Sequence, residues 1–219
     1  MTEPTAIGDL ELAALVSSRI CHDVINPISA IANGLELLDE EPDEAMREAA
    51  MDLIRKSTAQ ASAKLQFARL AFGAGGSAGA EIDLGDAERV SRDFIEGTGK
   101  HQISWQGPAV TLPKDKVKLL LNLVALGIVA LPRGGALNVE IAGSPPEVTF
   151  TVRAKGEAAR LTDQVTSLLS GANGVAVDAH SIQPYYASRV AAAAGMTVTV
   201  DARDGEVELK ARLIRQLDK

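Results

Sequence analysis

His22 stands in the run Ser17-Ser18-Arg19-Ile20-Cys21-His22-Asp23-Val24-Ile25-Asn26-Pro27-Ile28. As a residue type, neutral imidazole (reference pKa about 6.5) is a nucleophile at physiological pH. Attack on phosphorus would give a phosphoramidate, a reactive group suited to being passed on. Asp23, its neighbour, can hold the tautomer or take the proton from the other ring nitrogen. Asn26 lies four residues on, on the same helical face, where it can position water or phosphoryl oxygens. Pro27 sits inside the helical pattern and removes an amide that would bond to the carbonyl of Asp23, at a cost of about 3 kcal/mol in an ordinary helix interior. The same residues also fit a surface histidine beside a solvated aspartate on a kinked helix.

Other reactive side chains offer less. His101 reads as a solvated loop residue before a strand, and His180-Ser181 lacks an orienting acid, since Asp178 is too close in sequence. Cys21 reads as a small packing residue rather than a thiolate. Tyr185 and Tyr186 read as packing aromatics at a helix start. Arg19, one turn before His22, is either a contact for a partner's phosphoryl group or a solvated cation.

Composition narrows the classes. The 219 residues carry a net charge of −7 and only 3% aromatics, which argues against a phosphate-binding or base-stacking nucleic-acid surface. A lone cysteine excludes a disulfide framework and a multi-cysteine zinc site. The amino terminus has no secretory pattern, and the strongest apolar stretch, Val117 to Leu131, is too short to span a bilayer. A cytoplasmic protein that acts without a membrane is expected.

The elements around His22 follow from periodicity. Ile28, Ile31, Leu35 and Leu38 share one face of a helix running from about Ile7 to Leu38. Pro42 stops it, and Asp43 caps a second helix from about Glu44 to Phe72, with Asp39 to Glu44 a solubilising tip. Such a hairpin has apolar faces it cannot cover alone, so pairing of two copies into a four-helix bundle is expected. Residues 73 to 79 read as a flexible linker. Beyond it, helices are expected at Leu84–Glu96, from Pro113 to Leu131 and at Pro184–Ala194. Strands are expected at Gln102–Gln106, Leu137–Ile141, Val148–Val152, Met196–Ala202 and Glu206–Leu213. The expected fold is α+β: residues 1–75 a dimerising helical hairpin, residues 81–219 an α/β sandwich with a mostly antiparallel sheet.

The run His22-Asp23-Val24-Ile25-Asn26-Pro27-Ile28, with Ala30-Ile31 and Leu35-Glu36-Leu37-Leu38, resembles the H-box of sensor histidine kinases. That resemblance implies His22 as phospho-acceptor, Asp23 as acid–base neighbour and Asn26 as the residue tuning hydrolysis. It also implies that the second part is a Bergerat-type ATPase domain, but a degenerate one. Asn122 to Gly135 keeps the frame of the kinase N-box, yet Leu126 stands where asparagine holds Mg²⁺, and an aliphatic chain has no oxygen for a hard cation. Ala154 replaces the adenine-binding aspartate, and only one of that box's two glycines is kept. Pro184, in Ser181-Ile182-Gln183-Pro184, has no amide for a phosphate where a glycine-rich turn is expected.

A kinase-like hairpin without the nucleotide boxes resembles the ChpT-type histidine phosphotransferases of alphaproteobacterial cell-cycle phosphorelays. Arg19, Cys21-His22-Asp23 and Asn33-Gly34-Leu35-Glu36-Leu37-Leu38 also match that family. The resemblance implies a homodimer that takes a phosphoryl group on His22 from the receiver domain of a hybrid histidine kinase (CckA-like). It then passes the group to CtrA- and CpdR-like response regulators. No ATP is used, and Mg²⁺ is held by the receiver. Ser18, Arg19, Ile25, Arg69 and Phe72 are the expected receiver contacts. A divergent ATP-dependent kinase and a non-catalytic dimeric docking scaffold are the alternatives.

Overall fold

A computed structural model of the chain describes residues 7–40, 43–73, 80–97, 99–172 and 174–214. Helices α1 (Asp9–Glu40) and α2 (Glu44–Ala71) form the expected hairpin, with Asp43 accepting from the amide of Ala45 at the start of α2. Small residues set how closely they pack. A Cβ at Gly34 would stand 2.6 Å from Ile54 Cγ1, so this crossing is closed to larger side chains. The turn residues Glu41 and Pro42, and positions 74–79 of the expected linker, lie outside the described residues.

The rest of the chain is built around α4 (Lys114–Val129), whose run from Val117 to Gly127 is buried almost throughout. A helix apolar on all sides belongs in the middle of a core. One side of α4 meets a five-stranded sheet of β2 (His101–Gln106), β4 (Gly135–Ser144), β5 (Glu147–Lys155), β7 (Glu206–Leu213) and β6 (Met196–Arg203), in that spatial order. Only β2–β4 is parallel; the other pairs are antiparallel. A Cβ on Gly127 would come within 2.4 Å of Leu137 Cδ1, so helix and sheet are in close contact there. Val148, Phe150, Val152 and Ala154 alternate inward along β5. On β5's other face, Arg153 bonds Glu208 at 2.7 Å and Glu140 at 3.2 Å.

Helices α3 (Leu84–Glu96) and α6 (Ile182–Ala193) complete the helical layer. The lower end of α2 joins this core: Phe67 and Ala71 are buried in it, with Phe67 stacked on Phe94 at 4.2 Å between ring centroids. Asn122 of α4 donates to the carbonyl of Ala71 at 3.1 Å, tying the end of α2 to the second part of the chain. Among the described residues, no helix is long and apolar enough to cross a membrane.

Three short elements went unread in the sequence. β1 (Glu81–Asp83) and β3 (Thr111–Pro113) pair only with each other, and three residues are too few to carry a period. α5 (Asp163–Leu169) is capped by Thr162 and spans two turns. Pro113 ends β3 rather than opening the helix, which starts at Lys114. His101 is not a solvated loop residue: it begins β2, with Nε2 3.0 Å from the Leu131 carbonyl.

Candidate active site

α1 carries His22 on an outward-facing turn, its side chain 59% exposed. The turn is shaped by Pro27, which is buried and leaves the carbonyl of Asp23 without its helical amide. Lys64 of α2 supplies the replacement: its Nζ donates to that carbonyl at 2.8 Å. The proline break therefore costs less than in an isolated helix, because a charged donor takes the orphaned acceptor.

Asp23 is held on its side-chain end as well. Arg19, one turn earlier, donates through Nε to Asp23 Oδ2 at 2.9 Å. The other carboxylate oxygen, Oδ1, lies 3.7 Å from Nδ1 of His22. Arg19 also reaches the loop before α6, donating to the carbonyl of His180 at 3.3 Å. It is thus an internal bridge, not a freely solvated cation. The His180 ring meets the His22 ring edge-on, at 5.5 Å between centroids and 82° between planes.

The His180 loop has its own support. Asp178 Oδ1 accepts from the amides of His180 (3.0 Å) and Ser181 (2.8 Å) and from the Ser181 hydroxyl (2.7 Å). These bonds, those from Ser181 foremost, hold the Asp178 carboxyl below the usual aspartate range. Ser181 is thereby occupied as a turn residue at the start of α6, and Asp178, read in the sequence as too close to serve the pair, bonds both of its residues. The dismissal of His180 missed its contact with His22.

The remaining expected site residues divide into two groups. Ser18, Ile25 and Asn26 are exposed on α1. Arg69 and Phe72, at the lower end of α2, line an apolar cleft of about 560 Å³ with Leu12, Val16, Ile20 and Tyr186, and the Phe72 and Tyr186 rings lie 5.3 Å apart. A second, smaller space runs between Arg19, Asp23, Lys64, Phe72 and Gln183. Arg19 and Phe72 are therefore close to the Asp23 turn, whereas Arg69 belongs to the cleft below it. Cys21 is exposed, not packed. Lys64 and His180 were missed; the one signal for Lys64 was the carbonyl that Pro27 must strand.

The nucleotide-box positions do not fit Mg-ATP. Leu126 and Ala154 are each 1% exposed and form part of the apolar core, so neither position offers an oxygen to a cation or to adenine. Pro184 is buried in the first turn of α6.

Comparison with known proteins agrees with this architecture. Residues 84–206 match the family model for the histidine phosphotransferase C-terminal domain. Over 212 residues the chain is 46% identical to protein phosphotransferase ChpT of Brucella abortus (strain 2308), covering 96% of this chain and all of that one. A solved bacterial phosphotransferase superposes with a TM-score of 0.87 at 44% identity, across 96% of this chain and all of the other. With both halves of the molecule matched by full-length relatives, the chain belongs to the ChpT-type histidine phosphotransferases.

Proposed function

We propose that this protein is an ATP-independent phosphorelay intermediate whose phospho-acceptor is His22. One observation carries the reading: an exposed imidazole stands beside the carboxylate of Asp23, which Arg19 holds, while Lys64 takes the same residue's backbone carbonyl. The neutral ring, protonated at Nδ1, attacks the phosphorus of a receiver's aspartyl phosphate with the Nε2 lone pair. The P–O bond to the receiver breaks, its electron pair returns to the receiver carboxylate, and the ring gains positive charge. Asp23 Oδ1, at 3.7 Å, stabilises that charge across an ion-pair separation. Transfer onward reverses these steps, with a second receiver's carboxylate as nucleophile and His22 as leaving group. Asn26, exposed one turn from His22, tunes the competing attack by water.

The donor is the receiver domain of a hybrid histidine kinase, CckA-like, and the acceptors are CtrA- and CpdR-like response regulators of the cell cycle. The 46% identity to ChpT supports this assignment. Mg²⁺ is held by the receiver's acidic residues, and the reaction takes place in the cytoplasm. Residues 1–75 perform transfer and dimerisation; residues 81–219 keep a kinase-like sandwich without ATP. Leu126 and Ala154 in the core support the latter. Exposed Ile28, Leu35, Met46 and Leu65 along the hairpin support a homodimer closing a four-helix bundle.

The test supplies the purified chain with Mg²⁺ and either labelled ATP or a labelled phospho-receiver. Label arriving only from the receiver is expected. Label arriving from ATP alone would make the protein a kinase and overturn this reading.

A further inference from the structure

His180 is separated from His22 by most of the chain, yet its ring packs edge-on against the His22 ring. Its backbone is held at both ends. The amide is fixed by Asp178 at 3.0 Å, and the carbonyl by Arg19 at 3.3 Å. Arg19 is the same side chain that holds Asp23, so one guanidinium sets both the carboxylate beside His22 and the loop bearing His180. The groups that meet His180 are therefore the His22 ring and the Arg19 guanidinium on α1 and Asp178 on its own loop.

An imidazole 59% exposed on a helix surface would otherwise swing among rotamers. Transfer needs the ring held within narrow limits of the in-line approach, and looseness there lowers the rate even when the partner docks normally. We propose that His180 is a positioning residue of the phosphotransfer, by which the second half of the chain restricts the swing of the His22 ring. The inference rests on His22 being the phospho-acceptor. It gives the sandwich a part in transfer that requires no nucleotide.

The test uses the full chain carrying His180→Ala or His180→Phe, with His22→Ala as control. The probe is a receiver domain charged by acetyl phosphate and labelled on phosphorus. Phenylalanine keeps the ring contact but can neither donate nor accept a proton. The expected result is a single-turnover transfer rate about 3- to 10-fold slower for His180→Ala, with receiver affinity unchanged. Recovery of most of that loss is expected in His180→Phe. A His180→Ala rate equal to wild type overturns the inference. So does a His180→Phe rate no better than that of His180→Ala, or a change confined to receiver affinity. Label accepted normally by His22→Ala would instead overturn the assignment of the phospho-acceptor.

Discussion

Lys64 donates to the carbonyl of Asp23 at 2.8 Å, and that carbonyl is the acceptor stranded by Pro27 four residues later. A break on one helix is thus closed by a cation from the other. The bond joins α1 to α2 at the turn carrying His22, so the fold and the site depend on it together.

Removing the donor should therefore be costly only while the break exists. Lys64→Met is expected to lower stability by about 1–3 kcal/mol in denaturant unfolding. In a Pro27→Ala background, where residue 27 again has an amide for the Asp23 carbonyl, most of that loss should vanish. A coupling of about 1 kcal/mol or more in the double-mutant cycle is expected; additive effects would mean that Lys64 acts elsewhere.

The turn before α6 should be acid-sensitive. The folded-state pKa of Asp178 is depressed, chiefly by its bonds from Ser181, so the stabilisation is fully present above the ordinary aspartate range. It is lost as pH falls through the depressed folded value. Amide shifts of His180 and Ser181 followed by NMR should move together at a pH below the normal aspartate midpoint. In Asp178→Asn that shared transition should disappear.

Helix α4 should tolerate no side chain at Gly127. Alanine has the better helix propensity by about 1 kcal/mol, yet its Cβ would lie 2.4 Å from Leu137 Cδ1 and 3.1 Å from Val152 Cγ1. Gly127→Ala is expected to destabilise by about 1–3 kcal/mol through overpacking, seen as a lower melting temperature. An unchanged or raised melting temperature would show that the sheet yields at this point.

The exposed apolar side chains of the hairpin predict association. Ile28→Asp combined with Leu35→Glu, two turns apart on α1, should give a monomeric mass by light scattering where wild type gives a dimer. Wild-type protein with a monomer mass at micromolar concentration would contradict the bundle.

Much of this arrangement is readable from the chain, because it is local. The hairpin follows from three- and four-residue steps, Asp43 marks the start of α2, and Asp204-Gly205 marks the turn joining β6 to β7. His22, Asp23 and Pro27 identify the candidate turn because they sit within one short stretch of helix. What completes it comes from elsewhere. Lys64 arrives from α2, and His180 from a loop before α6, through tertiary contacts that no periodicity encodes. β1 and β3 were illegible for a similar reason: each is three residues long and is defined by its partner alone.

In the proposed relay the transferred phosphoryl group resides on His22. The direct measurement is tandem mass spectrometry on the chain after incubation with a phospho-receiver and Mg²⁺, under mildly basic conditions that preserve phosphohistidine, with His22→Ala alongside. An acid-labile phosphoryl group on the His22 peptide, absent from the variant, is the expected result. A phosphoryl group on any other residue, or equal labelling of His22→Ala, would rule out His22 as the phospho-acceptor.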